Sequence, residues 1–191
     1  MDIWNKILES HTIKVFRVIA NQWWGLDVHF YDKSGNHKNN GIPFQNCHCA
    51  LMQTKKKAEK DCHLSHTENL KVSNKTCKII TCKFCENFRA VVFPIFARGG
   101  YVGSIMCTGM QPPVIKSLQE QSINKLARLG FVKKEVRQCY DKIRIADRHT
   151  EDEVIKFMKL VSIDISTFFN TLLNEKEIKD EQALLKDWKQ N

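Results

Sequence analysis

Cysteine is concentrated in one stretch of this chain. Six of its eight cysteines lie within 39 residues, at Cys47, Cys49, Cys62, Cys77, Cys82 and Cys85. Cys82 and Cys85 have the Cys-x-x-Cys spacing of a zinc knuckle, and two more thiolates would complete a tetrahedral site. The segment therefore predicts a thiolate-bound metal, with zinc first and an iron–sulfur cluster as the alternative that spacing does not separate from it.

Two other interpretations of these cysteines stay open. Buried cysteines also pack as small hydrophobic residues, and Cys82 with Cys85 could form a redox-active dithiol. For Cys107, on an apolar strand, and Cys139, on a helix, packing is the expected role.

The composition indicates one domain with an appendage. The chain has 191 residues, of which 42% are apolar and 27% charged, as in ordinary globular domains. No apolar run reaches membrane-spanning length, and the amphipathic, acid-containing N-terminus differs from a secretory signal. We expect a cytoplasmic protein without membrane contact, whose thiols are free or metal-bound rather than paired in disulfides.

The net charge of +9 is unevenly distributed. Residues 151–191 hold nine acids and six bases, so residues 1–150 carry +12. Such an excess attracts nucleic acid, anionic ligands or an acidic partner. Beyond the three lysines at 55–57, however, the chain has no long basic tract and no repeat of basic and aromatic residues. A lysine-rich, soluble surface is the favoured explanation, and direct nucleic-acid binding is not expected.

Hydrophobic patterning predicts an α+β fold with an antiparallel sheet and flanking helices. The clearest signal is a hairpin in which Gly99 and Gly100 separate two apolar strands over 89–97 and 101–110, with Pro94 at a bulge or edge. Both strands are apolar on consecutive residues, so both faces of the sheet are expected to be covered. The remaining predicted elements are a helix over 2–24 with a break near 11, a strand over 26–32, and helices over 50–59, 62–72, 114–129 and 133–143.

The last helix is predicted over residues 151–173, opened by a capping box from Thr150 to Glu153. Its apolar residues follow the alternating steps of four and three that define a heptad seam: Val154, Met158, Val161, Ile165, Phe168 and Leu172. This seam predicts a parallel homodimer through residues 151–173. The alternative is that the same residues pack on the domain's own sheet.

Several landmarks, in this order, resemble the PocR sensory domain family, a PAS-like ligand-sensing module of bacterial regulators. The landmarks are the strand and turn over 26–36, Cys49, Cys62, Cys82, the hairpin over 93–103 and the strand end over 108–111. Two departures concern cysteines. Cys85 stands where the family commonly has glycine, and Cys47 and Cys77 are additional to its usual three.

The resemblance implies a PAS-like antiparallel sheet flanked by helices, a cysteine-rich insertion over 47–85 and a long C-terminal helix. Residues 1–150 would be the sensory domain, and residues 151–191 a signalling and dimerisation helix with a charged tail. A small molecule would bind over the sheet and the signal would reach a transcriptional or kinase output domain or partner. The predicted pocket residues are Trp24, Phe93, Tyr101, Met106 and Met110.

The resemblance also indicates which cysteines are the preferred metal ligands and which are reserves. Cys49, Cys62, Cys82 and Cys85 are the preferred set, because three of them fall on cysteine positions of the family. Cys47 and Cys77 are the reserves for this zinc or iron–sulfur site.

The sequence thus predicts a sensor, with a zinc-stabilised basic module that binds nucleic acid or protein as the alternative. An enzyme is not expected, because the chain has no paired carboxylates, no Cys/His dyad at a known spacing and no glycine-rich phosphate loop. Four cysteines would also close a zinc site, whereas a catalytic zinc keeps one position open.

Overall fold

The computed structural model describes residues 2–38, 42–76, 80–84, 88–113 and 116–190, with side chains except at 73–76, 80–84, 187, 189 and 190. Its elements are α1 Ile3–Glu9, α2 His11–Trp24, β1 Asp27–Asp32, α3 Cys47–Gln53, α4 Lys56–Thr76, β2 Ile80–Phe84, β3 Phe88–Ala97, β4 Gly100–Met110, α5 Lys116–Arg128, α6 Lys133–Tyr140 and α7 Arg148–Gln190. The break near residue 11 is confirmed. Ser10 ends α1, and its hydroxyl accepts a hydrogen bond from the Ile13 N–H of α2 at 3.4 Å.

The four strands form one antiparallel sheet in the order β1-β4-β3-β2. The predicted hairpin is confirmed as β3 and β4. Its turn residues Arg98 and Gly99 have φ angles of 50° and 74°, the two left-handed positions of a type I′ turn. Pro94 lies beyond Val92, the last residue of β3 that pairs with β2, so its missing N–H costs no hydrogen bond on that side.

A hydrophobic core lies on each face of the sheet, because side chains alternate along its strands. The first core joins Phe93 and Ile105 to apolar residues of α1, α2 and α7. The second joins Val92 and Met106 to residues of α3, α4, α5 and α6. The predicted α+β class, with both faces covered, is therefore confirmed, while the PAS-like likeness stays a prediction.

Helices α3 and α4 occupy most of the predicted cysteine-rich insertion. Met52, Ala58 and Leu70 of these helices are buried in the second core. Burial of this kind stabilises the segment through packing, so residues 47–76 form a layer of the domain.

The long C-terminal helix is confirmed, but its start differs from the prediction. α7 begins at Arg148, and the Asp147 carboxylate accepts hydrogen bonds from the Thr150 N–H at 2.8 Å and the Thr150 hydroxyl at 2.7 Å. Asp147 is therefore the capping residue, and the assignment of that role to Thr150 is wrong. With 43 residues, α7 is about 65 Å long.

The heptad residues of α7 pack on the domain's own sheet. The residues of this seam that are buried in the first core are Val154, Met158, Val161, Ile165 and Leu172. The predicted Phe168 is partly buried and packs against the same core, and its neighbour Phe169 is buried in it. The alternative interpretation of the seam is thus the observed one. Among the described residues, no helix has the length and apolar character that crossing a membrane requires.

Candidate functional site

Polar side chains gather beside the edge strand β1, on the face of the sheet that carries the second core. His29 and Tyr31 are two residues apart on β1 and therefore share this face. Helix α4 lies over them. Its contribution is a set of residues at helical spacing: Glu59, Cys62, His63 and His66.

The turn after β1 brings His37 next to these side chains of β1 and α4. The Asp32 carboxylate accepts hydrogen bonds from the backbone N–H groups of Ser34 and Asn36, each at 2.9 Å. Because this turn is tight, His37 forms an antiparallel bridge with Tyr31, and their ring centroids are 5.0 Å apart.

These parts surround a cavity of about 180 Å³ that is partly open to solvent. A cavity of about 150 Å³ is large enough for benzene, so this one has room for a ligand of similar or slightly larger size. Its lining residues are Tyr31, His37, Phe44, Gln53, Glu59, Cys62, His63 and His66.

A hydrogen-bonded chain connects the wall of the cavity to the sheet. His29 Nδ1 lies 3.3 Å from His37 Nε2, and His29 Nε2 lies 3.1 Å from Thr108 Oγ1. Thr108 Oγ1 is in turn 3.5 Å from the sulfur of Cys49. This chain holds both imidazoles in fixed orientations.

A second set of contacts connects β1 to α4. The Tyr31 hydroxyl is hydrogen-bonded to His66 Nδ1, and His66 Nε2 lies 3.8 Å from the Cys62 sulfur. The His29 and His66 ring centroids are 5.6 Å apart, so the two sets lie side by side.

Burial determines the protonation states of these groups. Burial and neighbouring histidines lower the pKa of His29 well below its usual value and that of His37 to about 4. Burial also raises the pKa of Tyr31 well above its usual value. At neutral pH these three side chains are therefore uncharged, and each can donate or accept hydrogen bonds.

The structure describes the side chains of only some of the predicted metal ligands. Cys49 and Cys62 are both buried, and burial raises the pKa of Cys49 above its usual value. Cys82 lies on β2 opposite Ala90, but its side chain is outside the described part of the chain. Cys77 and Cys85 also lie outside the described residues.

Cys47 forms a disulfide with Cys139, with their Cα atoms 5.5 Å apart. The expectations of unpaired thiols and of simple packing for Cys139 are wrong at this pair, because the start of α3 meets α6 at a separation typical of disulfides. Cys107 is fully buried in the first core, which confirms its packing role. Within the described residues, no group of three or more His, Cys, Asp and Glu side chains could hold a metal ion.

The residues predicted to line a ligand pocket do not come together. Phe93 and Met110 belong to the first core, at whose edge Trp24 lies, whereas Met106 belongs to the second. Tyr101 is near the hairpin turn. None of the five is among the cavity-lining residues described above.

Among the cavity residues, the sequence analysis singled out Cys62, as a candidate metal ligand and not as part of a ligand pocket. A usable signal was present, since His29 and Tyr31 alternate on a predicted strand. Cys62 and His66 are also four residues apart on a predicted helix. Neither pattern, taken with its neighbouring residues, shows that this strand and this helix contact each other in the fold.

Sheet, helices and cavity define a small α+β domain with a polar pocket that is partly open to solvent. Residues 7–168, most of the chain, match the family model described as the sensory domain found in PocR. The chain therefore belongs to the PocR sensory domain family, as its sequence landmarks predicted, and this family is sensory rather than catalytic. No curated protein and no solved structure gives a significant match to the chain.

Proposed function

We propose that this chain is a cytoplasmic sensory module that binds a small organic molecule in the cavity between β1 and α4. The observation that carries the proposal is the cavity itself, about 180 Å³ in volume and lined from β1, α3, α4 and the loop after β1. Concave pockets into which a few polar groups converge are the usual sites of small-molecule binding. Membership of a sensory family supports the same role.

The output element in this proposal is α7, which lies on the opposite face of the sheet. Arg89 of β3 forms an ion pair with Glu151 in the first turn of α7. At the other end of β3, Arg98 is paired with Glu177. A ligand that displaces β1 would also move β4 and β3, because neighbouring strands are hydrogen-bonded. This movement would change how α7 packs on the sheet.

We further propose that α7 carries the signal through a homodimer to a transcriptional or kinase output domain or partner. Residues 151–173 present a second face for this contact, since Leu160 is 62% and Ile163 52% exposed. These residues lie opposite the stripe that is buried in the first core.

A ligand-binding assay on cavity variants tests the sensory proposal. We expect a set of neutral fragments of benzene size to yield at least one binder, and His37→Ala to weaken it by about tenfold through loss of one wall and one hydrogen-bonding group. Isothermal titration calorimetry is the measurement. His11→Ala, on exposed helix surface, is the control and should bind as the unaltered protein does. If His37→Ala and His11→Ala bound the fragment equally well, the ligand site would lie outside this cavity.

A Cys-ligated zinc or iron–sulfur centre is a second proposal. It is supported by the burial of two of its four candidate ligands, Cys49 on α3 and Cys62 on α4. The described residues do not complete such a site by themselves, so Cys82 and Cys85 would have to supply the remaining ligands.

A further inference from the structure

We propose that the ligand of this cavity is a small protonated amine. The inference rests on the proposed sensory function, because it names the ligand class of the same site. It follows from the charge, the hydrogen-bonding groups and the ring faces of the lining.

Among the described residues that line the cavity, Glu59 is the only carboxylate, and none of them is a lysine or arginine. Its side chain is half-buried, and it has no ion-pair partner within the described part of the chain. Lys55, one turn before Glu59 on the chain, has its ammonium group 6.0 Å from the centroid of the Phe131 ring. An ammonium group in the cavity would form a charge-assisted hydrogen bond with this carboxylate.

The other polar groups of the lining suit a ligand that donates hydrogen bonds. Gln53 offers an amide oxygen, and neutral His37 offers a ring nitrogen as acceptor. An ammonium group donates three hydrogen bonds and accepts none. Gln53 and His37 can therefore accept its hydrogen bonds, whereas a carboxylate or phosphate would be repelled by the negative charge of Glu59.

Aromatic faces complete the complementarity. Tyr31 and Phe44 both line the cavity, and a cation within about 6 Å of such a ring is attracted by its π-electrons. An anion in the cavity would gain no such attraction from these rings and would be repelled by Glu59. The lysines at 56 and 60 are exposed on the outside of α4, where salt screens them.

Matched pairs of probes test the inference. We expect butylamine and benzylamine to bind at least tenfold more tightly than butan-1-ol and benzyl alcohol, which have nearly the same shape but no charge. Isothermal titration at pH 7 and constant ionic strength gives the four dissociation constants. Glu59→Gln should remove the preference for the amines. Asp61→Asn, an equal loss of charge at an exposed position of the same helix, should keep it.

The outcomes separate the ligand class from the site. If the alcohols bind as tightly as the amines, or if Glu59→Gln keeps the preference, the amine inference is overturned and the cavity remains the sensory site. If no probe binds, the amine inference is also overturned, and the neutral-fragment experiment decides whether the cavity binds ligands at all. Thermal melting of each variant shows that loss of binding is not loss of fold.

Discussion

At the scale of single residues, His48 is an unusual member of the core. It is 2% exposed, and its ring centroid is 4.5 Å from that of Phe88. Neither ring nitrogen has a hydrogen-bond partner within the described residues. Burial lowers its pKa to about 4, because a charged imidazolium would have neither water nor a counter-ion there.

This burial predicts a pH-dependent stability. The unfolded chain binds a proton at His48 below about pH 6.5, and the folded protein does so only below about pH 4. Stability is therefore complete above pH 6.5, falls as the pH drops toward 4 and changes no further below that value. The loss from this residue is about 3 kcal/mol, since one pKa unit corresponds to about 1.4 kcal/mol.

The measurement is chemical denaturation between pH 4 and 7.5 for the unaltered protein and His48→Phe. The variant should lose less stability over this range, by roughly the amount assigned to His48. His29 and His37 contribute in the same direction in both proteins, while Asp27, whose pKa is raised by burial, contributes with the opposite sign. The difference between the two curves isolates His48, and parallel curves would contradict the prediction.

At the scale of elements, α7 has two distinct faces. One face completes the first core as far as Leu172. The other exposes Leu160 and Ile163, and the helix then continues past the core with further exposed apolar residues at Ile178, Leu184, Leu185 and Trp188. An isolated helical extension of this length is only marginally stable in water, so a partner that covers the outer face would stabilise it.

We expect the protein to be a dimer at micromolar concentration, and the double change Leu160→Glu and Ile163→Glu to make it monomeric. Two carboxylates would have to be buried in the contact, and their desolvation costs more free energy than the apolar contact contributes. Analytical ultracentrifugation measures the mass. Val18→Glu, at a 52% exposed apolar position of α2, serves as the control and should remain dimeric. A monomer in the unaltered protein at all concentrations would refute the proposal.

At the scale of the whole molecule, the cysteines join parts that are distant in the chain. The disulfide between Cys47 and Cys139 spans 92 residues and fastens α3 to α6. Helix α4 and strand β2 lie between them in the sequence, so the cysteine-bearing segment is held at one end by this covalent link. A metal bound by Cys49, Cys62, Cys82 and Cys85 would fasten its other end to the sheet.

Metal analysis tests that second attachment. We expect one zinc per chain in colourless protein purified without oxygen, and Cys82→Ala to lose the metal and to melt at a lower temperature, because metal binding contributes folding energy. Cys107→Ala lacks only a packed thiol of the first core and should keep the metal. Iron with sulfide would identify a cluster instead, and metal-free protein would refute the site.

Local patterns in the sequence determined the hairpin, the helix break at Ser10, the covering of both sheet faces and membership of the sensory family. Each depends on residues close together in the chain or on the order of short motifs. Only the tertiary structure decided that the predicted seam of α7 packs on its own sheet, because a heptad stripe has the same pattern whether it meets a sheet or a second helix.

The candidate site also came from the tertiary structure alone. Tyr31 and His66 are 35 residues apart and His29 and Thr108 are 79 apart, so their contacts depend on which face of α4 packs on which strand. Glu59 has no feature in the sequence that distinguishes it from neighbouring charges. Its place in an aromatic cavity results from long-range packing, which one-dimensional spacing does not encode.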